Sequence, residues 1–128
     1  MSAPIASHNR PMTQTVLIVD DHPSFRSSAR RVLEDGGYEV VGEAHDGTSA
    51  LTAARELRPA IVLLDVQLPD VDGFEVALRL TRGDDPPAVV LISSHDREDL
   101  AGMIEASAAR GFLSKADLSG PALAALLT

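Results

Sequence analysis

Residues 60–64 read AIVLL, apolar at every position, and this run constrains the fold more than any other stretch. A strand with one face in water alternates apolar and polar residues. A strand with no polar position is buried on both faces, as in a parallel sheet covered by helices. VLIV at 16–19 and AVVLI at 88–92 have the same character and the length of strands.

Segments of helical period stand between the runs. Pro23 suits the first turn of a helix, and Phe25, Ala29, Val32 and Leu33 then fall on one face, with Gly36-Gly37 as the stop. YEVVGEA (38–44) is a more polar strand and so an edge strand. A helix from about Thr48 carries Leu51, Ala54 and Leu57 and ends before Pro59. Phe74, Ala77 and Leu78 mark a third helix, broken by GDDPP at 83–87. Asp96 is placed to cap a fourth helix, with Asp99 in its first turn and Leu100, Met103 and Ile104 pointing inward. GFLS (111–114) is a short fifth strand, and Ser119-Gly120-Pro121 opens a last helix with Leu123, Leu126 and Leu127.

Five strands alternating with five helices predict an α/β domain, a flavodoxin-like three-layer αβα sandwich. Right-handed crossovers make 2-1-3-4-5 the expected order of its parallel sheet. The domain is expected over 15–128, behind a flexible leader at 1–14 that is polar and lacks the apolar core of a secretory signal.

Composition narrows the function. The chain has 128 residues, 11 Lys and Arg against 19 Asp and Glu, and a net charge of -8; such a surface disfavours phosphate backbones, so direct contact with nucleic acid is not expected. Without cysteine, disulfides, thiol catalysis and thiolate metal sites are excluded. No apolar run approaches the roughly 18 residues of a membrane span, and a cytoplasmic location is expected.

In open parallel sheets ligands bind beyond the carboxyl ends of the strands. There stand Asp20 and Asp21 after the first strand, Asp65 after the third, Ser93-Ser94 after the fourth and Lys115 after the fifth. Each pair of clustered carboxylates repels by about 1 to 4 kcal/mol at 4 Å, so the cluster calls for a cation. Oxygen donors indicate a hard ion; Mg²⁺ suits best, and Mn²⁺ could replace it. With Lys115 as a mobile positive charge and Ser93 as a hydroxyl donor, the set describes a site for a phosphoryl group with a carboxylate acceptor. Asp65, at the end of the most buried strand, is the expected acceptor.

The span from about Thr15 to Leu127 resembles a bacterial two-component response-regulator receiver domain. VDDHPSFR (19–26), DGTSAL (46–51), PAIVLLDVQLPDVDGFE (59–75), VVLISS (89–94) and GFLSK (111–115) carry the resemblance in order. DDHP and VGEA-x-DG are most similar to the NarL/FixJ (LuxR-type) subfamily. The resemblance implies phosphoryl transfer to Asp65 from a sensor histidine kinase, with Mg²⁺ held by Asp20, Asp21, Asp65 and the backbone carbonyl of Gln67. It implies that Ser93 bonds the phosphoryl oxygen, that Lys115 pairs with it, and that Phe112 is an aromatic that reorients, although a phenylalanine in a strand is ordinarily core. Gln67 and His95 stand where receivers tune the loss of the phosphoryl group. Ser93 replaces the commoner threonine, and Asp70 stands where glycine is frequent.

Implied partners are the kinase, a second copy on phosphorylation, and DNA only through a helix-turn-helix beyond Thr128. A stand-alone receiver or phosphorelay protein is the alternative. A Mg²⁺-dependent phosphohydrolase of the haloacid-dehalogenase type is remote, because Gln67 stands where its general acid would. Asp70 and Asp72 read as solvated turn residues. His8, His22 and His45 show no metal-ligand spacing and suit surface positions.

Overall fold

The computed structural model describes residues 13–94 and 97–127, with the side chains of 97–99 excepted. Most of the leader and the cap expected at Asp96 therefore lie outside the described residues. Five strands alternate with five helices: β1 (Thr15–Val19), α1 (Pro23–Asp35), β2 (Glu39–Ala44), α2 (Gly47–Leu57), β3 (Ile61–Asp65), α3 (Gly73–Leu80), β4 (Ala88–Ser93), α4 (Arg97–Ala106), β5 (Gly111–Ser114) and α5 (Gly120–Leu127). A short 3₁₀ turn, Lys115–Asp117, follows β5. The sheet runs β2-β1-β3-β4-β5, and every neighbouring pair is parallel.

The apolar strands bury both faces, and alternate residues feed two cores. Leu17, Val19, Val62, Leu64, Val89, Leu91 and Phe112 join Ala50, Val76, Ala77 and Ile104 from α2, α3 and α4. Val16, Ile18, Ile61, Leu63, Val90 and Ile92 join Ala29, Leu33 and Leu123 from α1 and α5. Each fully buried aliphatic side chain contributes about 1.5–3 kcal/mol of transfer free energy. Three layers are the result.

Local signals set the joints. Pro23 opens α1, and Gly36 caps its end before Gly37 turns at φ +91°. Asp46 caps α2 by accepting the Ser49 N–H at 2.8 Å, and Arg58, in the left-handed region at φ 47°, closes it ahead of Pro59.

Several expectations need correction. Asp65 and Ser93 are the last residues of their strands, whereas Tyr38 precedes β2 and packs on the α1/α5 core. Leu57, Leu78 and Met103, expected on inward faces, are exposed. In α3 the inward stripe is Gly73, Val76, Ala77 and Leu80. In α4 it is Leu100 and Ile104, and the buried Ser107 follows the helix.

Candidate functional site

β1 and β3 lie side by side with Val19 opposite Leu64, so their carboxyl ends deliver Asp20 and Asp65 to one edge of the sheet. Both are buried, at 0% and 3% exposure, whereas Asp21 beside them is exposed. Lys115, the first residue after β5, reaches back across β4. Its Nζ lies 2.6 Å from Asp20 Oδ2 and 3.1 Å from Asp65 Oδ2. Asp20 Oδ2 has no partner besides Lys115 among the described residues. At that separation charge attraction holds the pair together. The ammonium also sits 4.7 Å from the centroid of the Phe25 ring, a favourable cation–π position.

Burial pushes the Asp20 carboxyl upward, but Lys115 and the hydrogen bonds from His22 outweigh it and hold the group below the ordinary carboxylate range. At Asp65 burial prevails. The Asp20 charge reinforces it, the Gln67 N–H and Lys115 do not offset it, and this carboxyl is raised. Burial disfavours the Lys115 ammonium, yet its two carboxylate partners raise it and keep it protonated. The site thus holds a firmly ionised Asp20 and a more basic Asp65 around one cation.

The loop between β3 and α3 is held against the site. Gln67 N–H donates to Asp65 Oδ1 at 3.0 Å, orienting the carboxylate. Gly73, the first residue of α3, packs onto the Asp65 carbonyl, and a Cβ there would lie 2.6 Å from Val66 Cα. Only glycine fits this approach. Asp72, expected to be solvated, caps α3 by accepting the Phe74 N–H at 2.7 Å. Asp70, read the same way, reaches α2 instead. It accepts the Gly47 N–H at 2.8 Å, the Thr48 N–H at 3.0 Å and the Thr48 hydroxyl at 2.9 Å.

Ser93 is buried at 1% exposure. It ends β4 one residue beyond Ile92, which pairs in register with Asp65. Phe112 is 8% exposed and part of the core shared with Ile104. His95 lies outside the described residues.

His22 was read as a surface residue, and its ring is largely exposed, but Nδ1 lies 3.0 Å from Asp20 Oδ1 and 3.1 Å from Asp21 Oδ1. Its N–H also donates to Asp20 Oδ1 at 2.8 Å. Arg26 adds a guanidinium N–H to the Asp20 carbonyl at 2.7 Å. These contacts have no periodic signature. The adjacency in DDHP was the available signal for His22.

Asp20, Asp21, His22 and Asp65 each offer a ligand atom, all within 4.8 Å of one another. Three carboxylates at this spacing, one of them with a buried oxygen bonded only by charge, fit a hard divalent cation. A groove of about 620 Å³ lies at the other end of the sheet among Arg55, Arg58, Pro59 and Pro87. Chemistry rather than volume marks the site.

A five-stranded parallel sheet of this order, with an acid pair, a buried aspartate and a lysine at its carboxyl edge, defines a class of signalling domain. The family model described as a response regulator receiver domain matches residues 16–124, and the chain belongs to that family. Over 110 residues it is 38% identical to a protein of Mycobacterium tuberculosis named as the transcriptional regulatory protein NarL, covering 85% of this chain and 51% of that one. The transcription regulator BvgA of Bordetella pertussis is 38% identical over 104 residues, covering 81% of this chain and 50% of the relative. The chain thus spans about half the length of these relatives. The solved receiver domain of the M. tuberculosis NarL superposes with a TM-score of 0.79 at 35% identity, over 90% of this chain and 97% of that one. Receiver domains of this family signal rather than turn over substrates, they act with histidine kinases, and they bind Mg²⁺ in general. The chain is a NarL/FixJ-type receiver domain.

No helix among the described residues is long and apolar enough to cross a membrane.

Proposed function

We propose that Asp65 accepts a phosphoryl group from the phosphohistidine of a sensor histidine kinase. The observation that carries this reading is the buried Asp65 beside Asp20, both bonded to Lys115. One Asp65 oxygen attacks phosphorus, and the P–N bond to the donor imidazole breaks with its electron pair remaining on the ring nitrogen. The raised Asp65 carboxyl is the more basic of the two buried acids, which favours it as nucleophile. Lys115 is bonded to both acids, and we assign it to the incoming phosphoryl oxygens, with the Ser93 hydroxyl as a second donor.

Asp20, Asp21, Asp65 and the Gln67 backbone carbonyl would hold Mg²⁺, or Mn²⁺ in its place. When bound, the ion supplies positive charge against the carboxylates and the transferred group. The domain promotes only its own phosphorylation and dephosphorylation. Gln67 and His95 set the phosphoryl lifetime in this reading, and Phe112 reorients as the state changes. Phosphorylation then switches a transcriptional output by way of a homodimer, with DNA contacted through a helix-turn-helix outside these residues. The relatives named as transcription regulators and the acidic charge of the chain support this, and the cytoplasm is the setting in this reading.

The test is incubation with acetyl phosphate and intact-mass measurement. A gain of one phosphoryl group is expected with Mg²⁺, and none in EDTA. Equal gain with and without the ion would contradict the reading.

A further inference from the structure

Asp70 spends both carboxylate oxygens on a different element. Oδ1 takes the Gly47 N–H, and Oδ2 takes the Thr48 N–H and hydroxyl. These N–H groups belong to the first turn of α2, where helical donors have no partner of their own and where a negative charge is favoured. The Gly47 N–H leads the bonds that hold the Asp70 carboxyl down at about 2. The seat is shaped for it. A Cβ on Gly47 would lie 3.0 Å from Val76 Cγ2, 3.1 Å from Val71 Cβ and 3.3 Å from Asp70 Oδ1. The same loop is closed at its base by the Gly73 N–H on the Val66 carbonyl at 3.0 Å. Gln67 lies between the closure and the pin.

We infer that Asp70 is a positioning residue for the acid site: by pinning the β3–α3 loop to α2 it fixes the Gln67 backbone, which orients Asp65 through its N–H and carries the carbonyl assigned to the metal. The inference rests on the receiver reading above. Asp70 touches neither phosphoryl group nor ion and acts only through the loop.

The experiment measures Mg²⁺ binding by calorimetry, with the Gln67 amide shift followed in parallel by NMR. Four variants are compared with the wild-type chain. Asp70→Ala removes all three bonds and should raise the Mg²⁺ dissociation constant roughly tenfold, the lower edge of what partners outside the ligand set contribute. It should also shift the Gln67 amide. Thr48→Val loses one bond and should fall between. Asp70→Asn, which keeps an oxygen acceptor, should recover part of the affinity. Asp46→Ala removes the cap of the same helix, made to Ser49, without touching the loop. It should bind Mg²⁺ as the wild type does.

Wild-type affinity in Asp70→Ala would overturn the inference. So would an equal loss in Asp46→Ala, since the effect would then be helix stability alone. A wild-type chain that binds no Mg²⁺ would overturn the metal reading, and the inference with it, a failure visible before any variant is compared.

Discussion

Lys115 holds the site together before any ligand arrives. Its ammonium is within bonding distance of two buried carboxylates, and removal of one partner from a buried pair is far more costly than the pair's net worth. Lys115→Met should destabilise the chain in EDTA by roughly 3 kcal/mol, the low end for a broken buried pair, because the lysine keeps some exposure to water. Urea unfolding would measure this. Added Mg²⁺ should return more stability to the variant than to the wild type, because the ion no longer displaces an ammonium. An unchanged midpoint in EDTA would mean the ion pairs contribute nothing. Asp20, Asp65 and Lys115 were legible in the sequence because each stands where an apolar run ends. Phe25, His22 and Asp70 were not, since a side chain's reach to another element leaves no trace in local periodicity.

Two acids outside the site serve α2 and make it acid-sensitive. Asp46 is held below the ordinary range chiefly by the Ser49 hydroxyl, and Asp70 lies at about 2 against an ordinary 3.8. Their folded values lie below their unfolded ones. The stability they add is therefore present above about pH 3.8 and lost on acidification below it, for Asp70 as pH falls through about 2. The urea midpoint should decline across that window, and less steeply in Asp70→Asn, as far-UV circular dichroism would follow. Parallel slopes would remove Asp70 from the account. The helix stripes show where reading from sequence fell short. In α3 the inward set begins with Gly73, whose burial no hydropathy marks. Just beyond α4 stands Ser107, whose hydroxyl donates to the Ile104 carbonyl at 2.6 Å and so is buried with its polarity satisfied. Exposed Met103 and Leu78 stood inward in the sequence pattern.

At the scale of the whole molecule the strand order and the layers were legible, because runs such as AIVLL admit only a doubly covered sheet. The same sheet couples the site to global stability, since Asp20 follows and Asp65 ends a strand that feeds both cores. Mg²⁺ at about 100 times its dissociation constant should add about 2.7 kcal/mol. Asp20→Asn should lose most of that gain, and a gain unaffected by the substitution would place the ion elsewhere. The central claim is a covalent one, and borohydride trapping tests it most directly. An acyl phosphate is reduced to an alcohol, so the chain treated with acetyl phosphate and Mg²⁺ should carry homoserine in place of aspartate at position 65 by peptide mass mapping. Homoserine at any other aspartate, with Asp65 intact, would contradict the account.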